Sequence, residues 1–387
     1  MTKLYLSLIT FFLLLATLGW SQTFTVKVNG VNRTYILYAP PGHNANIPAP
    51  LVLNYHGYTS NAGQQAFYSN MNPVADTAGF IVVYPEGLNN SWNTFSPLVT
   101  TPDDVAFTSA IIDDVNKRFK IDAARVYACG MSNGGYMSHL LGCELENRIA
   151  AVASVTGLLA PAIMAQCNPS RPIPVLQIHG TNDMTVPYNG GIGIGSVDST
   201  VQFWLAANHC STSNFTIDTL PNTNSTDNSY PIRYRSQGCD AGSEVTLIKI
   251  VNGSHTWPNA PYLIPNLVPN KDIDASSQVW NFFKGYTHPN PAPLDTTTTT
   301  TNIKQVNEGN KLVKMYPNPM GNILTVEVTD SRVKSIALYD VLGAKIYEAS
   351  INQLPVKMQF NTTNLQAGVY FLRVETANGQ TTYKLVK

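Results

Sequence analysis

Hydrophobic patterning divides this 387-residue chain into an α/β domain on a mainly parallel central sheet and, behind it, a small C-terminal β-sandwich. Three observations lead there. Short continuous apolar runs alternate with helix-period segments as far as residue 286, the pattern of strands buried on both faces between covering helices. A Pro- and Thr-rich stretch then interrupts the chain over residues 287–310. Beyond it, residues 311–387 hold alternating strands separated by turn residues, at the spacing of an antiparallel sandwich.

The elements follow in chain order. Residues 1–21 read as an export signal: Lys3, an apolar run from Leu4 to Gly19, and small residues Gly19 and Ser21 at three and one before a cut that leaves Gln22 first. That run is too short for a comfortable membrane span, and no later stretch approaches spanning length. Thr23–Val28 and Val31–Tyr38 alternate around Asn29-Gly30, a pair suited to the positive φ of a two-residue hairpin turn. Leu51–Tyr55 and Gly79–Tyr84 are compact apolar strands. Asp103 opens a helix whose Val105, Thr108, Ile111, Ile112, Val115 and Phe119 share one face. Then come a strand Arg125–Cys129, a helix Asn133–Glu146, strands Ala150–Val155 and Val175–His179, a helix around Val201–Asn208 and a strand Val245–Ile250. In the second domain the strands are Leu324–Val328, Ile336–Tyr339, Val369–Val374 and Tyr383–Val386, parted by turn signals at Leu342-Gly343, Ala367-Gly368 and Asn378-Gly379. That domain has neither His nor Cys, so chemistry is expected in the first.

Composition narrows the function classes. The 24 Lys+Arg balance the 24 Asp+Glu, which argues against the cationic surface that nucleic acid or an anionic membrane demands. Hydrophobic residues at 44% exclude disorder of the whole chain. Cys129 lies in an apolar strand and reads as a buried thiol. Cys143, Cys167, Cys210 and Cys239 fit an exported, disulfide-bearing protein; four cysteines allow three pairings, and nearest-in-chain pairing is the expectation.

Gly130-Met131-Ser132-Asn133-Gly134 is a G-x-S-x-G between a strand and a helix, the setting of a nucleophile elbow. The competing reading is a Gly-rich turn with a helix-capping serine. A serine nucleophile needs an oriented base, with the partners following in the order Ser, Asp, His at strand ends. Asp183 follows the Val175–His179 strand and His255 follows the Val245–Ile250 strand. The loop His56-Gly57-Tyr58 follows Leu51–Tyr55, so backbone N–H groups of Tyr58 and Asn133 are the oxyanion candidates, with His56 bracing the loop. A zinc site from His56, His179 and His255 lacks any metal-ligand spacing. Asp103-Asp104 and Asp113-Asp114 read as helix-start and solvated-face residues. Trp92 and Trp257 are candidates for the substrate pocket, with core packing as the alternative.

Five linked motifs now carry a resemblance: Gly130–Gly135, His179–Asp183, Gly253–Pro258, Tyr84–Asn93 and Asp103–Phe107. Together they resemble the secreted polyhydroxybutyrate depolymerase/feruloyl esterase family, of carbohydrate esterase family 1 type, over residues 24–286. The resemblance implies an α/β-hydrolase, a Ser132, Asp183 and His255 triad, ester substrates and no cofactor. Ser254 departs from the glycine common before the histidine, a change too small to disable the site. Residues Met315–Pro319, Leu338–Gly343, Gly368–Leu372 and Tyr383–Lys387 resemble the sorting domain of the type IX (Por) secretion system, which implies the type IX machinery as a partner and an extracellular or cell-surface destination. The rivals are a serine peptidase of the same fold and a non-catalytic glycan-binding surface protein.

Overall fold

The computed structural model describes residues 20–44, 46–95, 102–212, 214–261, 267–295, 312–328, 330–340, 345–351, 353–366, 368–376 and 379–387. Most of the expected signal, residues 296–310 of the linker, residue 311 and the turns at 342–343, 367 and 378 lie outside them. The chain divides into two compact units that part at Thr297/Thr298.

In the first unit the elements run β1 (Trp20–Val28), β2 (Val31–Ala39), β3 (Ala49–Tyr55), α1 (Ala62–Ser69), α2 (Asn72–Ala78), β4 (Ile81–Pro85), α3 (Asp104–Arg118), β5 (Ile121–Met131), α4 (Asn133–Glu144) and β6 (Ala151–Val155). There follow α5 (Pro161–Met164), β7 (Val175–Gly180), α6 (Val197–Ala207), β8 (Phe215–Thr219), β9 (Tyr230–Ser236), β10 (Val245–Val251) and α7 (Ala275–Phe283). The strands form one ten-stranded sheet in the order β1-β2-β4-β3-β5-β6-β7-β10-β9-β8. Its middle, from β4 to β10, is parallel, and both flanks are antiparallel.

The continuous apolar runs are the central strands because successive side chains enter different cores. Leu51 and Leu53 face one cluster with α3, α4 and α6, while Val52 between them faces the other with α1, α2 and α7. Asn29 and Gly30, both at positive φ, close the β1–β2 hairpin. Cys143 pairs with Cys167 and Cys210 with Cys239, and Cys129 is a buried free thiol, as expected.

Residues 287–295, assigned to the linker on composition, are pinned to the first unit. His288 N donates to Ala124 O at 2.8 Å, Ala292 N to Asn147 O at 2.8 Å and Asp295 N to Asp113 Oδ1 at 3.1 Å. Leu294 packs against the first cluster. Proline spacing made this stretch look solvated, but its backbone groups find partners on β5 and on the segment after α4.

The second unit is a sandwich of β11 (Val313–Tyr316), β12 (Ile323–Val328), β13 (Val333–Tyr339), β14 (Lys345–Ser350), β15 (Val356–Asn361), β16 (Val369–Thr376) and β17 (Gly379–Val386). Its sheets run β11-β12-β15 and β14-β13-β16-β17, every pair antiparallel. Leu324, Val326, Ile336, Leu338, Leu372 and Leu385 share the core between them.

Candidate active site

Ser132, Asp183 and His255 stand past the C-terminal ends of the parallel strands β5, β7 and β10, which lie within four adjacent strands of the sheet. Ser132 joins β5 to α4 with φ 53° and ψ −119°, a backbone conformation that costs a non-glycine residue about 1–3 kcal/mol. Two hydrogen bonds hold it there: Ser132 N donates to Val155 O at 2.8 Å, and Tyr136 N donates to Ser132 O at 3.0 Å. The flanking glycines are obligatory, since a Cβ on Gly130 would sit 2.5 Å from Gly134 O and one on Gly134 only 2.1 Å from Tyr55 O. Although Ser132 occupies the N-cap position of α4, its hydroxyl makes no capping bond. The capping reading therefore fails, and the side chain is left for another use.

His255 Nδ1 donates to Asp183 Oδ2 at 2.7 Å. The other oxygen of Asp183 accepts from Thr185 N at 2.9 Å and Val186 N at 2.8 Å. Burial by itself would raise this carboxyl, but bonds from His179, His255 and the Val186 amide outweigh it and hold Asp183 well below the usual carboxylate range. An ionised, doubly anchored carboxylate fixes the His255 tautomer with its proton on Nδ1, leaving Nε2 free to accept a proton.

The loop after β3 lies beside the serine: a Cβ on Gly57 would be 3.5 Å from Ser132 Cβ. Gly87 N donates to His56 Nε2 at 3.0 Å, so the ring proton is on Nδ1, which donates to Gly57 O at 2.7 Å. Pinning that carbonyl turns the N–H of Tyr58 to the opposite side of a trans peptide. The Asn133 N–H, first in its helix, has no intrahelical acceptor. The Tyr58 side chain itself is exposed, so only its backbone is a candidate. Burial lowers His56 to about 4, keeping it neutral. Both ring nitrogens of His56 and of His179 are committed to protein partners, which leaves neither free to ligate a metal.

Trp92 and Trp257 need correcting, for both are core residues. Trp92, 2% exposed, donates from Nε1 to His56 O at 2.8 Å and packs edge-on against Tyr55. Trp257 is fully buried among side chains from β10 and α7, because the loop turns inward two residues after His255. Asp103 and Asp104 do start α3, as cap and first residue, but Asp104 is also buried. It pairs with buried Arg33 at 2.7 Å and accepts from Asn93 N at 2.8 Å. Asp113 and Asp114, read as a solvated face, bind Arg148 and Arg118 in partly buried pairs. Sequence reasoning passed over Phe95 and Tyr136, whose rings lie 4.8 Å apart one helical turn from Ser132. It also missed the Asn133 side chain, which accepts from Trp92 N at 2.7 Å and donates to Thr94 Oγ1 at 2.9 Å. The only signal was position, since none of these three residue types is diagnostic.

Known proteins resemble this chain in both units. Residues 33–194 match the family model described as esterase PHB depolymerase, and residues 314–387 match that of a secretion system C-terminal sorting domain. A protein of Nocardia uniformis subsp. tsuyamanensis described as an esterase, NocK, is 33% identical over 261 residues, 61% of this chain and 74% of that protein. Feruloyl esterase B of Piromyces equi is 32% identical over 238 residues, covering 58% of this chain; the match spans 42% of the length of that protein. Among solved structures, an acetyl xylan esterase from Aspergillus awamori superposes with a TM-score of 0.51 at 15% identity, covering 68% of this chain and 99% of that one, a likeness of fold.

Proposed function

The chain belongs to the esterase PHB depolymerase family, and from that premise we propose that its first domain is a serine carboxylesterase acting through an acyl-enzyme. The observation that carries this reading is the strained, uncapped Ser132 on the same sheet edge as the Asp183–His255 pair. His255 Nε2 takes the Ser132 proton as Oγ adds to the ester carbonyl, and the Tyr58 and Asn133 N–H groups receive the oxyanion. The alcohol leaves with the proton from His255. Water, activated by the same ring, then releases the acid and restores the serine. Substrates are feruloyl or acetyl esters of plant polysaccharide, or polyhydroxyalkanoate-type polyester; the names of the relatives support the first group and the family model the second. The second domain is a sorting domain for type IX export, and the enzyme works outside the cell or on its surface after cleavage before Gln22.

The test compares wild type with Ser132→Ala on nitrophenyl acyl esters, methyl ferulate, acetylated xylan and short polyhydroxybutyrate. Turnover by the wild type alone is expected, and the best ester names the substrate. Equal turnover by both proteins would end the acyl-enzyme reading, and faster cleavage of a peptide amide than of every ester would replace it with a peptidase.

A further inference from the structure

Behind Asp183 lies a buried row of polar side chains that the proposed chemistry does not use. It starts on α6, crosses α4 and β7, and ends at the carboxylate. The Trp204 indole donates from Nε1 to His139 Nδ1 at 3.1 Å. An indole only donates, so the His139 proton is on Nε2, which faces Gln177 Oε1 at 3.0 Å. The amide orientation is fixed independently, because Gln177 Nε2 donates to the Gly157 carbonyl at 2.9 Å and a carbonyl only accepts. The second hydrogen on that nitrogen goes to His179 Nδ1 at 3.1 Å. His179 therefore carries its proton on Nε2, which donates to Val186 O at 2.9 Å and lies 3.4 Å from Asp183 Oδ2. Val186 closes the loop, since its own N–H holds the other oxygen of Asp183. His139, Gln177 and His179 are all fully buried, and no step in the row is open to a second assignment of donor and acceptor.

We propose that Trp204, His139, Gln177 and His179 form a one-way hydrogen-bond relay that fixes the Asp183 carboxylate, and through it the His255 ring, which makes Gln177 and His179 positioning residues of the reaction. The proposal rests on the esterase reading of Ser132, Asp183 and His255. Every hydrogen bond in the row runs one way, and the last donor, His179 Nε2, binds Val186 O, whose own N–H holds Asp183 Oδ1. Gln177 is the pivot. It accepts from one imidazole and donates to the next, which neither glutamate nor an apolar residue can do. The relay does not touch substrate; it keeps His179 an acceptor on Nδ1 and a donor on Nε2. The other groups around its end are Tyr188, whose ring meets His179 edge-on at 6.0 Å, Lys249 over the Tyr188 ring at 5.0 Å, Asp198 beside Tyr188, and Tyr136 of α4, which feels the Asp183 charge. Burial lowers His139 to about 4, so that ring stays uncharged near neutral pH.

The test has two readouts. Nitrogen-15 NMR of histidine-labelled full-length protein at neutral pH is expected to find His139 and His179 protonated on Nε2, and His255 and His56 on Nδ1. Gln177→Glu, nearly equal in volume, forces a proton onto His179 Nδ1. It is expected to lower kcat about tenfold with KM within about twofold, and to add an inflexion to the pH–rate profile. A merely structural role would lower Tm and leave the profile's shape unchanged. His179 protonated on Nδ1 in the wild type would overturn the relay, as would a folded Gln177→Glu with wild-type kcat and pH profile. The tautomers are read without substrate. Absence of ester turnover with the histidine pattern intact therefore overturns the esterase reading alone, and the wrong pattern overturns the relay whatever the turnover.

Discussion

At Ser132 the backbone strain is borne by neighbours that approach too closely for any side chain, and at Asp183 the charge is borne by donors on both oxygens. Each arrangement predicts a different failure. Gly134→Ala would drive a methyl group to 2.1 Å from the Tyr55 carbonyl, backbone against backbone, so a loss of folded protein on the order of several kcal/mol is expected in denaturant unfolding. Asp183→Asn should spare the fold and cost the chemistry. An asparagine there still offers its oxygen to the Thr185 and Val186 amides, which turns its NH₂ toward His255 Nδ1. The ring must then hold its proton on Nε2, the wrong nitrogen for a base, and kcat is expected to fall on the order of 10³–10⁴-fold with little change in Tm. A variant retaining more than a tenth of wild-type kcat would rule out His255 as the base. Both residues were readable beforehand because order along the chain and strand-end placement constrain them jointly. Gln177 and Asn133 were not, because an amide's role depends on partners distant in sequence.

The elements that position the site are coupled by buried polar contacts rather than by their own propensities. Arg33 on β2, Asp104 at the start of α3 and the Asn93 backbone meet in one cluster, the guanidinium stacked 4.0 Å above the Phe107 ring. Asp104→Ala leaves a 3% exposed arginine without its carboxylate, and a loss of about 3–5 kcal/mol is expected in chemical unfolding. Replacing both partners with apolar side chains of similar volume should recover most of it, and failure to recover would mean that the cost lies in the freed Asn93 loop instead. The central strands and α3, α4 and α6 were legible because continuous apolar runs and 3.6-residue periods are strong signals. Four helices were not, α5 being only four residues long. The α1 sequence Ala-Gly-Gln-Gln-Ala-Phe-Tyr-Ser offers too few apolar positions to set a period, and α2 carries Pro73 near its start. The nine-residue α7 is amphipathic but short enough to be read past among loops. Strands β8 and β9 lie at an antiparallel flank, partly exposed, with the mixed polar sequence that edge positions allow. The two tryptophans were misplaced for a related reason: an aromatic beside a catalytic motif reads equally as pocket or as core, and only the inward turn of its loop decides.

Over the whole molecule, acid should weaken the first unit before it protonates the carboxylates. Burial lowers His56 and His139 from 6.5 to about 4, so between those values the unfolded chain binds protons that the folded chain refuses. The contribution of these rings is complete above the unfolded value and lost as pH falls toward the folded one, on the order of 2–3 kcal/mol for each ring. Asp183, held low, adds to the loss only below the ordinary carboxylate range. Tm is expected to decline steadily from about pH 7 to about pH 4.5, and a flat profile would show that these rings admit water. The boundary between the units yields the last prediction. Proline and threonine content placed it at Tyr286, yet His288 is 5% exposed and the segment to Asp295 is bonded to β5, to the turn after α4 and to α3. The unit boundary falls beyond that segment, and the second unit has a core of its own. A chain ending at Asp295 should therefore keep the Tm and ester turnover of the first unit. One ending at Tyr286 gives up two backbone hydrogen bonds, the buried His288 and the Leu294 contact, together about 2–3 kcal/mol, which corresponds to a Tm lower by roughly 5 °C. Equal melting of the two chains would mean that residues 287–295 rest on the surface without stabilising it, and that the compositional boundary is also the energetic one.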